Sequence, residues 1–593
     1  MKNKSGIFAA LAFILLSAIV GGAVNRWHST GTAGGAVVFA RGGGGDAEAR
    51  LLDPVVANGN DEDGADAVES AYREAMDVVA ASYVGEVDYE RANQGSIQGM
   101  LTSLDPHSSF FPHVEFQKLK EEQNSQFAGI GVTILRHRDG VYVQSAVEGT
   151  PAARAGLRYG DRIVEVDNKD AREWTSAEVS KNVRGKLGAP VTLKVERAGS
   201  SMPLYVTIVR GSVPLPSIRL AYMIRPGTGY VGMTGGFTQT TDEELRLAIN
   251  DLQKQGMRSL VLDLRNNPGG LLDKAISVSS QLLPRGATVV SVRGRDEDTA
   301  KVYKNTAGSP EDFPLVVLIN RNSASASEIV AGAIQDHGRG LVVGETSFGK
   351  GLVQRVYPLP FGNGLTLTTA KYYTPYGRLI QRDYSHVSLY DYYTRHAPEP
   401  AASPLPTPAT PNQPTLSVRP NGTETAPPPA PSPELPIGPP VQTAGGRVFY
   451  GGGGITPDIT VAPLDPTRPH RIRIFDAAFY FVRDLTAGQI PSFENYRLTN
   501  QRTEQLPVTD RLITRFREYV RERQDDNLTP AQADADLDYV RLRLGEEIAT
   551  AAEGSEAATR VLLEHDPQLL RALEAMPQAK QLAESIRQVR LMT

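Results

Sequence analysis

The chain has 593 residues, enough for about two to four domains that each bury a core of their own. Its formal net charge is −5, so the composition provides no basic field for binding nucleic acid or anionic lipid. It contains no cysteine, which excludes disulfides, thiol nucleophiles and thiolate metal sites.

The N-terminal segment has the order of an export signal. Lys2 and Lys4 precede an uncharged, mostly apolar run from about Ile7 to Val24. A basic start followed by an apolar run predicts that residues 1–24 are a signal peptide or a membrane anchor, and either one exports the rest of the chain. Whether this segment is cleaved stays open.

Behind that segment the sequence pattern changes several times. A Gly-, Ala- and Asp-rich stretch is typical of a flexible tether, and helical spacing extends from about Val68 to Lys120. Short β-rich runs separated by glycine turns occupy 127–210. Residues 214–385 alternate apolar strands with helical patterns, which predicts an α/β unit with a partly parallel sheet.

The α/β pattern ends at a proline-rich segment. Between Pro398 and Pro440 lie 16 of the chain's 41 prolines, a composition that cannot build a packed core. We expect an exposed linker or loop there. Residues 447–464 are strand-like again and are expected to return to the α/β unit, and the remainder of the chain is charged and helical.

Three alternating serines stand where a predicted strand meets a predicted helix. Ser323, Ser325 and Ser327 lie in the stretch NRNSASASEIVAGA. A helix start needs one serine as a cap, so capping leaves two of them unexplained. This excess indicates that one serine is a nucleophile, which requires a base elsewhere in the chain.

No histidine fits the role of that base. His337 is nearest in sequence, but a helix places it roughly 18 Å from Ser325, beyond hydrogen-bond reach. The other histidines have no active-site context, and the G-x-S-x-G elbow of the α/β-hydrolases is absent. A histidine base is therefore unsupported, although it is not excluded.

A lysine loop is the better candidate for the base. Lys350 lies in a glycine-flanked loop, and Gln354 is four residues further along a predicted strand. Positions i and i+4 of a strand share a face, so both side chains should point the same way. A buried lysine can become a neutral base, and an amide can orient it without restoring a charge.

The same loop has two competing interpretations. GETSFGKG resembles a phosphate-binding loop, but Gly351 stands where Ser or Thr should hold Mg²⁺, and a strand comes next where a helix is needed. SFGK matches the S-x-x-K motif of penicillin-binding enzymes, but that serine must open a helix. Both alternatives are weaker than the lysine base.

A glycine pair supplies a third element. In the stretch RSLVLDLRNNPGGLLDKA, an apolar strand, a polar turn and Gly269–Gly270 precede a predicted helix. Backbone N–H groups at such a helix start suit the stabilisation of an oxyanion. A structural turn with a glycine cap is the alternative.

These motifs together resemble the core of the carboxy-terminal-processing, or tail-specific, proteases. DLRNNPGGLL, NSASASEIVAGAI, GETSFGKGLVQ and KYYTPYGRLIQ carry the resemblance, which extends from about 101 to 461. It implies a serine endopeptidase with Ser325 as nucleophile, Lys350 as general base and Gln354 as its orienter. The oxyanion site would comprise N–H groups of Ala326 and of Gly269 or Gly270. Ser323 and Ser327 would be structural.

The β-rich segment resembles a PDZ domain, with a small β-barrel as the alternative. FAGIGVTI, EGTPAARAGLRYGDRIVEVDN and PVTLKVER carry this second resemblance. It implies that the loop of Gly129, Ile130 and Gly131 binds the carboxylate of a substrate tail, which adds as an extra strand. The expected partners are protein or peptide substrates with apolar free C-termini.

The resulting prediction is a multidomain α+β protein. It combines an N-terminal helical region, a PDZ β-barrel-like domain, an α/β protease core of crotonase/ClpP-like type and a C-terminal helical region. The predicted segments are the signal peptide or anchor 1–24, tether 25–67, helical region 68–120, PDZ domain 121–212, protease core 213–385 with 447–465, Pro-rich insert 386–446 and C-terminal helices 466–593.

We expect an exported enzyme of the bacterial periplasm or cell envelope, secreted or held at the membrane by its N-terminal segment. No metal, nucleotide or other cofactor and no nucleic acid are expected, and the C-terminal helices are candidates for binding an adaptor or a second copy. The family core would pass from the YYTPYGR stretch to the GITPD stretch in a few residues, whereas about 75 residues lie between them here, and the resemblance says nothing about this insertion. A catalytically silent PDZ scaffold is the alternative function, but such a protein should have lost at least one of Ser325, Lys350 and Gln354.

Overall fold

The computed structural model describes most of the chain beyond its N-terminal segment. The described residues are 61–295, 300–306, 312–385, 392–393, 438–496, 507–523 and 528–592. The predicted signal or anchor 1–24 and most of the Pro-rich insert lie outside them. Within the described ranges, no helix has the length and apolar character needed to cross a membrane.

The described residues divide into two compact units, the smaller one formed by 61–113 and 356–367. In the smaller unit, a helix begins at Asp61, so the predicted tether 25–67 is too long at its C-terminal end. Strand Ser109–Phe111 interrupts the predicted helical region 68–120 and pairs antiparallel with residues 364–366. A pairing across such a sequence distance leaves no local pattern. The elements of this unit are α1 (Asp61–Ser82), α2 (Tyr89–Leu104) and β1 (Ser109–Phe111).

In the larger unit, the PDZ-like segment is an antiparallel sheet with the strand order β3-β4-β5-β7-β8 and β6 paired with β5. Strand β7 (Pro190–Glu196) alternates fully buried residues with more exposed ones, as a sheet with one face on a core should. The elements are α3 (His113–Gln123), β2 (Gln126–Gly129), β3 (Val132–His137), β4 (Gly140–Ala146), α4 (Pro151–Arg154), β5 (Arg162–Val166), β6 (Lys169–Asp170), α5 (Ser176–Val183), β7 (Pro190–Glu196), β8 (Leu204–Val209) and β9 (Gly211–Pro214).

The second part of the larger unit is built on a six-stranded sheet with the order β10-β11-β12-β15-β16-β21. Strands β11 to β21 of this order are parallel and β10 is antiparallel, which confirms the predicted partly parallel α/β sheet. Its elements begin with β10 (Leu220–Arg225), β11 (Thr228–Gly232), α6 (Thr241–Lys254), β12 (Ser259–Asp263), α7 (Leu272–Leu282), β13 (Thr288–Gly294), β14 (Lys301–Lys304) and β15 (Leu315–Ile319). They continue with α8 (Ala326–Asp336), β16 (Leu341–Gly344), β17 (Leu352–Pro358), β18 (Gly364–Tyr373), β19 (Val441–Gln442), β20 (Val448–Phe449) and β21 (Ile459–Thr460).

The C-terminal helices cover the second face of this sheet. Leu262 and Val317 pack with the helices between the strands, whereas Val261 and Val316 pack with Leu569 of the C-terminal region. A parallel sheet needs both faces covered, so these helices complete the core. They are α9 (Pro469–Thr486), α10 (Asp510–Glu522), α11 (Pro530–Asp534), α12 (Leu537–Glu553), α13 (Ser555–Leu563), α14 (Pro567–Glu574) and α15 (Met576–Met592).

The same C-terminal region packs against the PDZ-like segment. Tyr142 and Tyr159 of that segment belong to one hydrophobic cluster with Phe479 of α9. The buried His137 ring stacks on Phe479 with 3.6 Å between ring centroids, and its Nδ1 lies 2.8 Å from Asp476 Oδ1. The predicted C-terminal helices thus contact both other parts of the larger unit.

Candidate active site

Ser325 occupies a sharp turn between strand β15 and helix α8. Its backbone has φ 55° and ψ −113°, a conformation that a residue other than glycine keeps only when its surroundings hold it. Its N–H donates to Glu328 Oε2 at 2.8 Å, and its carbonyl accepts from the Tyr372 hydroxyl at 3.0 Å. A strained serine in a strand–turn–helix junction is a geometry that presents a nucleophile.

The other two serines have structural contacts. Ser323 is fully buried, donates its hydroxyl to the Leu264 carbonyl at 2.8 Å and accepts from the Asn320 N–H at 2.9 Å. The hydroxyl of Ser327, equally buried, donates to the Asn267 carbonyl at 3.0 Å. Both bonds hold the serine turn against the turn that carries the glycine pair.

The lysine loop places Lys350 and Gln354 in contact. Lys350 Nζ donates to Gln354 Oε1 at 2.9 Å, and both residues are half-buried. Strand β17 begins at Leu352, so Lys350 lies just before the strand that was predicted to carry it together with Gln354.

Glu328 joins the serine turn to the lysine loop, and sequence reasoning missed it. Its fully buried carboxylate accepts from the N–H groups of Ser325 at 2.8 Å, Lys350 at 2.9 Å and Gly349 at 2.7 Å, and from the Ser347 hydroxyl at 2.5 Å. Burial raises the pKa of the Glu328 carboxyl, and these four donors oppose that rise. The signal was present as the capping-box spacing of Ser325 and Glu328.

The structure distinguishes the two glycines of the predicted oxyanion turn. A Cβ added to Gly269, where φ is 94°, would lie 2.7 Å from Ser325 Cβ, so the turn packs directly on the serine. The Gly269 N–H donates to Asn267 Oδ1 at 2.9 Å. No group in the described part of the chain accepts the Gly270 N–H. Of the two glycine N–H groups, that of Gly270 is therefore the one that remains without an acceptor in the described ranges, and Ala326 is the first residue of α8.

The predicted carboxylate loop lies between strands β2 and β3. Gly129 ends β2, and Gly131 has φ 81° with its carbonyl accepting from the Val147 N–H at 2.9 Å. Ile130 is only 1% exposed and its side chain belongs to the domain core. Strand β3 is at the edge of its sheet, as strand addition requires.

The nearest histidine is bound elsewhere. His337 comes directly after the last residue of α8, at the opposite end from Ser325, and its Nε2 lies 2.7 Å from the Thr288 carbonyl. In the described ranges no three His, Asp or Glu side chains converge as metal ligands would.

Family comparisons match both parts of the site. Residues 227–386 match the model of peptidase family S41, and 128–208 match a PDZ domain model. A carboxy-terminal-processing protease of Bartonella bacilliformis is 40% identical over 308 residues, which are 51% of this chain and 70% of the relative. The carboxy-terminal processing protease CtpB of Bacillus subtilis is 32% identical over 320 residues, 54% of this chain and 65% of the relative.

Among solved structures, the photosystem II D1 C-terminal processing protease is 31% identical and covers 52% of this chain and 83% of its own, with a TM-score of 0.32. The PDZ domain of a Vibrio cholerae carboxy-terminal protease, solved in complex with a peptide, is 32% identical and covers 15% of this chain and 99% of its own, with a TM-score of 0.15.

The strained serine and the matched regions define a serine protease with a PDZ domain. The chain belongs to the carboxy-terminal-processing proteases of peptidase family S41. This family membership sets aside the catalytically silent scaffold.

Proposed function

We propose that the enzyme cleaves proteins near their C-termini with a Ser325–Lys350 dyad. The observation that carries this proposal is that one oxygen, Glu328 Oε2, accepts from the N–H groups of both Ser325 and Lys350. The nucleophile turn and the base loop are therefore neighbours. The hydrogen bond from Lys350 to Gln354 supports the role of the amide as orienter.

In the proposed mechanism, neutral Lys350 Nζ takes the Ser325 hydroxyl proton as Oγ attacks the scissile carbonyl. The carbonyl oxygen becomes an oxyanion, which the N–H groups of Gly270 and Ala326 stabilise. The lysine ammonium then protonates the leaving amine, and a water, deprotonated by the lysine, hydrolyses the acyl-enzyme. Gln354 holds the amine in position without adding a charge.

We further propose that the PDZ domain captures the substrate tail through Gly129, Ile130 and Gly131, and that the enzyme is exported through its N-terminal segment. The open edge of β3 supports the first proposal. The basic and apolar order of residues 1–24 supports the second. An adaptor or a second copy would bind the outward face of the C-terminal helices, because their inner faces already cover the sheet.

The test is peptide-bond cleavage by purified variants. Ser325→Ala and Lys350→Ala should each abolish cleavage while the protein stays folded, because each removes half of one reacting unit. Ser327→Ala should lower stability more than the rate, because its hydroxyl bonds a buried carbonyl. EDTA should leave the wild-type rate unchanged. Full activity of folded Lys350→Ala would refute the dyad.

A further inference from the structure

The connection between helices α13 and α14 reaches the turn that carries the glycine pair. This connection lies in the C-terminal helical region, which the S41 and PDZ models do not match. Asp566 stands immediately before α14, and its Oδ1 accepts from the N–H groups of Gln568 at 2.8 Å and Leu569 at 3.0 Å. It is therefore the N-cap of that helix.

The second carboxylate oxygen of this cap binds an arginine of the protease core. Arg265 Nη1 donates to Asp566 Oδ2 at 2.6 Å and to Gln568 Oε1 at 2.9 Å. The other edge of the guanidinium binds Asp263, with Nη2 donating to Oδ2 at 2.7 Å and Nε to Oδ1 at 3.0 Å. Arg265 is buried at 9% exposure, so its position depends on these partners.

Burial disfavours the charge of Arg265, but Asp263 and Asp566 more than compensate, and they raise the pKa of the guanidinium. The Gln568 side chain is fixed from a second direction, since its Nε2 donates to the Val461 carbonyl at 2.8 Å. The arginine is thus clamped between strand β12 and helix α14.

Arg265 is the first residue of the turn that carries the glycine pair. The next residue, Asn266, has φ 59° and donates its N–H to Asn320 Oδ1 at 2.9 Å. The Asn267 carbonyl accepts from the Ala324 N–H at 3.0 Å, and its side chain fixes Gly269. The turn therefore connects Arg265 to the glycine pair and to the residue before Ser325.

We propose that Asp566 and Gln568 are positioning residues for catalysis. They hold Arg265 in place, and Arg265 in turn fixes the position of the turn whose Gly270 N–H would donate to the oxyanion. The C-terminal helical region is then part of the catalytic apparatus as well as a cover for the sheet. This inference rests on the proposed oxyanion role of that turn.

The variant Asp566→Asn separates helix capping from the binding of Arg265. Asparagine caps a helix as well as aspartate does, so α14 keeps its start, but the charge that holds Arg265 is lost. The matched control is Glu564→Gln, two residues earlier in the same connection. It removes an exposed ion pair with Arg225. Asp566→Glu tests rescue by a carboxylate.

The readouts are kcat and KM for one peptide, and the affinity for a peptide boronic acid that forms a tetrahedral adduct with Ser325. We expect Asp566→Asn to lower kcat by about 10- to 100-fold with KM unchanged, because a small misplacement of the oxyanion donors acts on the transition state. The boronate affinity should fall by a similar factor. Glu564→Gln should stay within about twofold of the wild type, as a surface ion pair contributes little.

Adding Gln568→Leu should increase the loss, and Asp566→Glu should recover part of it. A wild-type kcat in folded Asp566→Asn, or a loss confined to KM, would overturn the inference. A loss of equal size in Glu564→Gln would also overturn it. Failure of the proposed function looks different, since activity would then survive in Ser325→Ala.

Discussion

The Glu328 carboxylate and the Arg265 guanidinium are both buried beside the turns of the proposed active site, but their partners differ in kind. Glu328 is held by three backbone N–H groups and a hydroxyl, all within the protease core. Arg265 is held by two carboxylates and an amide, and two of these three groups come from the C-terminal helices.

This difference indicates that the two clusters hold different parts of the proposed active site in place. The backbone N–H groups that bind Glu328 belong to the serine turn and to the lysine loop, so this cluster fixes the distance between the proposed nucleophile and the proposed base. A charged cluster can join segments that are distant in sequence, because each partner supplies its own hydrogen bonds and charge. Loss of the first cluster should therefore lower kcat more than loss of the second.

Of the changes that test this comparison, Glu328→Gln should have the largest effect. An amide has a single acceptor oxygen, so its NH₂ group would face N–H donors that now lack a partner. We expect kcat to fall by about 100- to 1,000-fold, as for loss of an oxyanion-hole donor. The measurement is kcat for a peptide substrate, with circular dichroism to confirm folding.

Glu345→Gln is the control for Glu328→Gln, because Glu345 is also buried near the loop but pairs with the Arg321 side chain. Its effect on kcat should be much smaller. If folded Glu328→Gln kept wild-type kcat, the proposed link between nucleophile and base would be wrong.

The next effect concerns the PDZ domain, whose carboxylate loop belongs to neither cluster. Amidation of the substrate C-terminus removes the charge that the loop N–H groups would bind. Binding should weaken by roughly 10- to 150-fold, a cost of about 1.5–3 kcal/mol. The comparison uses one unfolded polypeptide with free, amidated and Asp-terminated tails. Equal cleavage of all three would mean that the domain does not select termini.

A smaller effect should appear in the pH dependence of stability. Burial raises the pKa of Glu546 in helix α12 to about 7, although Arg543 opposes the rise. The folded state then holds this proton more tightly than the unfolded state. The resulting stabilisation is present below the unfolded pKa of about 4.5 and is lost as pH rises through about 7.

Glu546→Gln should therefore reduce the difference in Tm between pH 5 and pH 7.5, measured by calorimetry. The control is Glu553→Gln at the exposed end of the same helix. An unchanged pH dependence in Glu546→Gln would show that this carboxyl does not govern the stability of the C-terminal region.

The smallest effect is expected from the Pro-rich insert. Replacing residues 395–437 with a short Gly-Ser linker should preserve cleavage, because such a composition contributes no core. The deletion ends at residue 437 because strand Val441–Gln442 pairs with Val448–Phe449, and the nearby Thr443 is buried. Loss of activity in a folded deletion variant would place the insert in the site.

Local patterns in the amino-acid sequence were enough to predict the partly parallel sheet, the serine turn, the lysine loop and the glycine turn. Each of these depends on neighbours within a few residues, such as a strand end, a glycine or an i,i+4 pair, and local patterns record such relations. Even Glu328 had a local signal, because the capping-box spacing places it three residues after Ser325.

The contacts between these turns, loops and strands depend on the packing of the folded chain. Strand Ser109–Phe111 was included in a helical region, although it pairs with residues 364–366. The pairing of Arg265 with Asp566 spans 301 positions, and neither residue differs in its local pattern from an ordinary surface charge or helix cap. Burial and long-range pairing depend on how distant segments pack, and this packing leaves no periodicity in the sequence around either partner.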